Sequence, residues 1–279
     1  MNGFVPATAQ GVVLSRLPRL GSLVALFGLT LRQHIHGRRL LVMSLLFALP
    51  GALAALVSLA SKLAPPAASL EFAFALNLIP HALLPLAALL YATGIIQDEV
   101  EEQTLTYLLL RPVPRWLLYF VRLLATILVT SVLAAAFTAA TLAVIDVTAR
   151  EPATEGLVLR EAKMAALVSL ALVGYCGLFG LLGLLMRRSL LIGVGYIVLF
   201  EGLLASLDTV ARRLTVMYYF RVLVLRRLDP GEGKDWSIDL ATAPSVMTCV
   251  LTLLGVGLVS ATAAAVVFTT REFRMKTPG

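Results

Sequence analysis

From Gln97 to Trp116 the chain reads QDEVEEQTLTYLLLRPVPRW, a charged stretch set between two apolar runs, Leu76–Ile96 and Trp116–Ile145. That contrast decides the fold class. A helix of about 20 apolar residues crosses a bilayer, so the two runs read as membrane spans and the charged stretch as the connector between them. Four more runs, Leu40–Ala60, Met164–Met186, Leu190–Leu207 and Val246–Thr270, bring the expected spans to about six. The expected fold is an all-α membrane protein, read as a single domain over residues 1–279 with no internal repeat.

Composition agrees. Of 279 residues, 59% are hydrophobic and 14% charged, and the mean hydropathy is +0.91. Soluble domains have about 45–50% apolar and about 25% charged residues, so a large water-soluble core is excluded. The formal charge is +7, but no block of basic residues is interleaved with aromatics. The charge therefore reads as arginine placed beside spans, the usual topology signal, and no nucleic-acid partner is expected. Cys176 and Cys249 lie in apolar segments without CxxC spacing or histidine companions. They read as small buried side chains, not as a disulfide or zinc site. The first long apolar run begins near Leu40, too late for the order of a secretory signal.

Within the connector, Asp98, Glu99, Glu101 and Glu102 fall at a helix boundary. Thr104 suits the N-cap of a short helix through Leu110, and Pro112 ends it. Arg111 and Arg115 lie near its far end, where cations suit the helix dipole. On these grounds alone the segment is a stiff coupling element or, equally, a solvated loop marking the membrane boundary.

The wording goes further. D-E-x-E-E-x-T-L-x-Y-L-L-x-R-P-x-x-R resembles the cytoplasmic connector of ABC-2-type permeases, the membrane subunits of type-2 ABC exporters. The detailed match covers about twenty residues, and elsewhere the resemblance rests on span order and spacing. Gln103 departs from it, since many relatives have glycine there. The resemblance implies that connector 97–115 holds a coupling helix docking on a separate P-loop ATPase subunit. Asp98, Glu99, Glu101, Glu102, Thr104, Leu105, Tyr107, Arg111 and Arg115 are then the contact residues. ATP and magnesium would belong to that partner, leaving this chain with no cofactor, no metal and no catalytic residue. A second permease chain, identical or related, would complete the assembly in the inner membrane. The chain carries no P-loop: Gly231-Glu232-Gly233-Lys234 lacks the spacing.

Around this frame, Ser15–Arg39 mixes Leu17, Leu20, Val24, Phe27 and Leu31 with arginines and reads as an amphipathic helix on the membrane surface. The basic residues weigh modestly towards both termini being cytoplasmic. Asp208–Pro244 then forms an external segment between spans five and six. There Asp208 can cap a helix to about Leu228, with Val210, Leu214, Met217 and Leu225 on one face. Trp116 and Tyr119 are expected at headgroup depth, as are His34 and His36. His81 stands alone in span two without a partner. Gly174, Gly177, Gly180 and Gly183 suit close helix packing.

Glu201, inside span five, is costly in lipid and is the default candidate for a translocation path. Thr248 and Thr252 in span six join it, though both could equally bond their own backbone. Glu201 also leaves an ion-coupled secondary transporter open as an alternative. A membrane enzyme fits less well. Glu101-Glu102 resembles the paired glutamates of CAAX-type proteases, but Leu105 and Thr106 stand where that chemistry needs arginine, and spans three to six contain no histidine.

Overall fold

A computed structural model describes residues 20–60, 66–101, 114–148, 156–186, 188–206, 210–228 and 236–270, and every regular element among them is helical. In chain order these are α1 (Leu20–His36), α2 (Arg38–Ala60), α3 (Ala67–Leu70), a π-helical stretch (Glu71–Leu83), α4 (Leu84–Ala92), α5 (Gly94–Glu101), α6 (Arg115–Thr148) and α7 (Leu157–Leu185). There follow α8 (Ser189–Tyr196), a second π-helical stretch (Ile197–Leu203), α9 (Val216–Leu228) and α10 (Val246–Thr270).

Five of the helical runs are long and apolar enough to span a membrane: Arg38–Ala60, Ala67–Gln97, Arg115–Thr148, Val158–Leu185 and Val246–Thr270. The run expected as span five, Leu190–Leu207, is represented by a shorter apolar helix, Ser189–Leu203. Span two starts earlier than hydropathy suggests. Glu71 lies in it, and the charge is met by Arg160 Nε at 2.8 Å. Pro80 lies within the first π-helical stretch, where Leu84 N–H bonds Ile79 O instead of the α-helical partner. Proline lacks a donor for the regular ladder, and the wider turn fits a segment clamped by its neighbours.

α7 is the hub, packed against α4, α6, α9 and α10. Its four glycines explain how. A step of three residues turns a helix by about 300°, so glycines spaced by three sweep round the helix instead of forming one stripe. A Cβ on Gly177 would stand 2.5 Å from Gly257 O in α10, one on Gly180 2.5 Å from the Tyr119 hydroxyl in α6, and one on Gly183 2.8 Å from Thr93 Cα. Gly174 and Gly177 admit the α10 backbone, Gly180 the Tyr119 side chain and Gly183 the backbone of span two, as close packing in membranes favours. Tyr119 is accordingly fully buried in the Gly180 notch, whereas Trp116, one turn earlier, is half exposed.

α1 is helical, and one side of it is held by the bundle. It packs along α6 and buries Leu26 and Thr30, while Val24, expected on the apolar line, is 69% exposed. His34 faces inward to Thr126 Oγ1 at 3.0 Å and meets the Tyr91 ring edge-on at 5.2 Å. The outward-facing aliphatic residues of α2, α8 and α10 form the apolar surface a bilayer would cover.

Candidate functional site

Polar side chains join separate helices in two places that bear on function. At the connector end, α5 continues span two and ends at Glu101, so Asp98, Glu99 and Glu101 lie along its last turn. Glu102, Thr104, Leu105, Tyr107 and Arg111 lie outside the described residues. Arg115 is exposed and opens α6, whose first amides are met by the Pro114 carbonyl through Leu117 and Leu118 at 3.1 Å each. It thus sits at a helix N-terminus, the end that the dipole favours least for a cation, where water screens it.

The base of this connector is bonded to the rest of the bundle. Gln97 Nε2 donates to Met186 O at 3.1 Å, and its Oε1 accepts from Ser189 Oγ at 2.7 Å. One amide therefore joins span two to the turn between α7 and α8. From α6, the buried Arg122 donates to Ile95 O at 2.9 Å. Sequence reading passed over both residues. Glutamine beside four carboxylates attracts no notice, and Arg122 lies inside an apolar run.

At the far end, Glu201 is completely buried in the second π-helical stretch. Its Oε1 accepts from Val216 N–H at 3.2 Å and its Oε2 from Met217 N–H at 3.1 Å. Tyr196 adds its hydroxyl at 3.3 Å, and Tyr175 approaches the same carboxylate. Thr215 Oγ1 takes the next amide, Tyr218 N–H, at 3.2 Å. The first amides of a helix have no partner within it, and buried ones must find acceptors elsewhere. Here a carboxylate from another helix supplies two, and its charge suits the positive end of the dipole.

That cap corrects the reading of the external segment. Asp208 lies outside the described residues, and α9 begins at Val216 after a short 3-10 turn, Val210–Leu214. Leu214, expected to share a face with Met217, is 75% exposed, while the run from Val216 to Val224 is buried apart from Tyr219. α9 is thus packed inside the bundle against α7 and α10. Arg221 on it donates to Ala205 O at 3.2 Å and lies 3.5 Å from His81 Nδ1, so His81 has a partner after all.

With the geometry in place, a family model described as ABC-2 family transporter protein matches residues 24–273. The chain belongs to the ABC-2 transporter family. No curated protein gave a match. The protein is therefore a multi-pass membrane permease of an ABC transporter, which works with an ATPase subunit.

In the permease, the sequence-derived path residues have separate surroundings. Glu201 is engaged by the α9 amides. Thr248 bonds Ser245 Oγ at 2.9 Å in the first turn of α10, and Thr252 Oγ1 donates to Thr248 O at 2.8 Å. Both threonines therefore serve their own helix.

Proposed function

We propose that this permease is one half of an exporter's membrane domain, pairing with a second permease chain in the inner membrane with both termini cytoplasmic. The ATPase subunit would dock on connector 97–115 through Asp98, Glu99, Glu101, Glu102, Thr104, Leu105, Tyr107, Arg111 and Arg115. The observation that carries this reading is the Gln97 amide, which ties the base of the connector to Met186 and Ser189. A push on the connector would then move span two and the α7–α8 turn together. Glu201, with Thr248 and Thr252, would border the outer end of the translocation path, where the α9 cap must hold or shift as the halves rock.

The test is reconstitution with the cognate ATPase subunit. Glu101→Lys combined with Glu102→Lys should leave the permease in the membrane while transport falls at least tenfold and ATP hydrolysis no longer responds to the permease. Unchanged transport and ATPase co-purification in that variant would overturn the docking assignment.

A further inference from the structure

Beside the Glu201 cap lies a second polar group that capping does not use. Arg221 of α9 stands with its Cζ 5.5 Å from the centre of the Trp236 ring, and Phe72 of span two backs the indole at 5.1 Å. Arg221 and Trp236 are each only 8% exposed. Arg221 spends its Nη atoms on Ala205 O and on His81 Nδ1, which assigns the imidazole proton to Nε2. Its Nε–H and the Trp236 Nε1–H are both buried, and neither donates to an acceptor among the described residues. Among the described residues, no carboxylate lies within ion-pair distance of the guanidinium. The nearby Glu201 oxygens are taken by the α9 amides.

Buried donors lose their hydration and must recover it from an acceptor, most of all on a charged group. Native proteins leave few unmet, and a missing ligand or ion is among the ordinary reasons. An oxygen anion would meet charge and a directed donor from Arg221 and a second donor from Trp236. Phe72, packed on the indole, adds apolar surface at the same place.

The geometry points to an oxyanion site at Arg221 and Trp236 that takes the phosphate or carboxylate head of an amphipathic ligand, with the apolar part lying along Trp236 and Phe72. Two sources share that chemistry: an acidic molecule being moved, and an acidic phospholipid of the surrounding leaflet. The site does not depend on how the ATPase docks. Binding is read on the isolated chain, so its failure and a failure of the coupling assignment are separate results.

The experiment is calorimetric titration of the purified chain in neutral detergent with decyl phosphate, beside native mass spectrometry after exchange into phosphatidylglycerol nanodiscs. Arg221→Lys keeps the cation but loses the Nε–H, and Trp236→Phe keeps an aromatic face but loses the N–H. Because they alter different elements, the misfolding of one still leaves the other to be read. Saturable decyl phosphate binding, weakened about tenfold or more in the folded variants, assigns the site to a moved amphipathic acid. Retention of phosphatidylglycerol that both variants lose, without decyl phosphate binding, assigns the same site to a lipid head. Binding of neither ligand, or equal binding by wild type and variants, overturns the proposal, and water then meets the two donors.

Discussion

The two ends of this bundle are held by different chemistry. At the connector end, Gln97 bonds Met186 and Ser189 and His34 bonds Thr126, with one buried guanidinium, Arg122, on the Ile95 carbonyl. At the far end, charged side chains do most of the joining. Glu201 closes the start of α9, Arg221 bonds Ala205, and Glu71 pairs with Arg160. A neutral hydrogen bond contributes about 0.5–1.5 kcal/mol net and is readily exchanged for another. Stripping the partner from a buried charged group costs about 3–5 kcal/mol. The Gln97 bonds are thus the more readily exchanged, and the Glu201 cap that seats α9 is the costlier to break.

The strongest challenge to that contrast is Glu201. Glu201→Ala leaves the Val216 and Met217 amides buried without acceptors and should destabilise the permease by about 2–4 kcal/mol. Glu201→Gln, which keeps an acceptor, should lose less. Thermal unfolding of the two purified variants measures the difference, and equal stability would mean that α9 is not held by the cap.

A smaller effect separates packing from hydrogen bonding along α7. Gly177→Ala drives a methyl to within 2.5 Å of the Gly257 carbonyl and should cost about 1–3 kcal/mol. Gly255→Ala meets nothing within 4 Å and should be near neutral in the same assay. If both are silent, α7 and α10 are less closely packed than Gly177 and Gly257 require.

The smallest stability change is expected at Gln97. Gln97→Leu removes the bonds to Met186 and Ser189, a loss of about 1 kcal/mol or somewhat more. Its effect on transport coupled to ATP hydrolysis should be far larger than its effect on melting. Parallel losses in both measurements would make Gln97 a structural brace alone.

Much of the fold was legible in the chain itself, because lipid imposes a simple rule: backbone groups must bond within the segment, so spans are long apolar helices. The early start of span two was hidden because Glu71 looks like a boundary until Arg160 is seen beside it. The buried position of α9 was hidden for a similar reason. MYYFRVLVLRRL reads as a surface helix with arginines, and only a carboxylate fifteen residues earlier makes its burial tolerable. Glu201 stood out at once as a costly residue, but its partners are backbone amides, which leave no mark in a sequence. Tyr119 and His34 were set at the membrane surface by residue type, and both turned inward. A hydroxyl or an imidazole does not reveal whether water, a headgroup or a glycine notch awaits it.

By itself, then, the amino-acid order determined the number of apolar runs, the place of the charged connector and the wording shared with ABC-2 permeases. These are properties of contiguous residues and their transfer from water to lipid. Tertiary structure alone decided which neighbour each α7 glycine admits, what Glu201 binds, where α9 lies and which donors at Arg221 and Trp236 stay unmet. Those outcomes depend on atoms far apart in the chain meeting within hydrogen-bond or contact distance, and such meetings are set by how the helices rotate and cross.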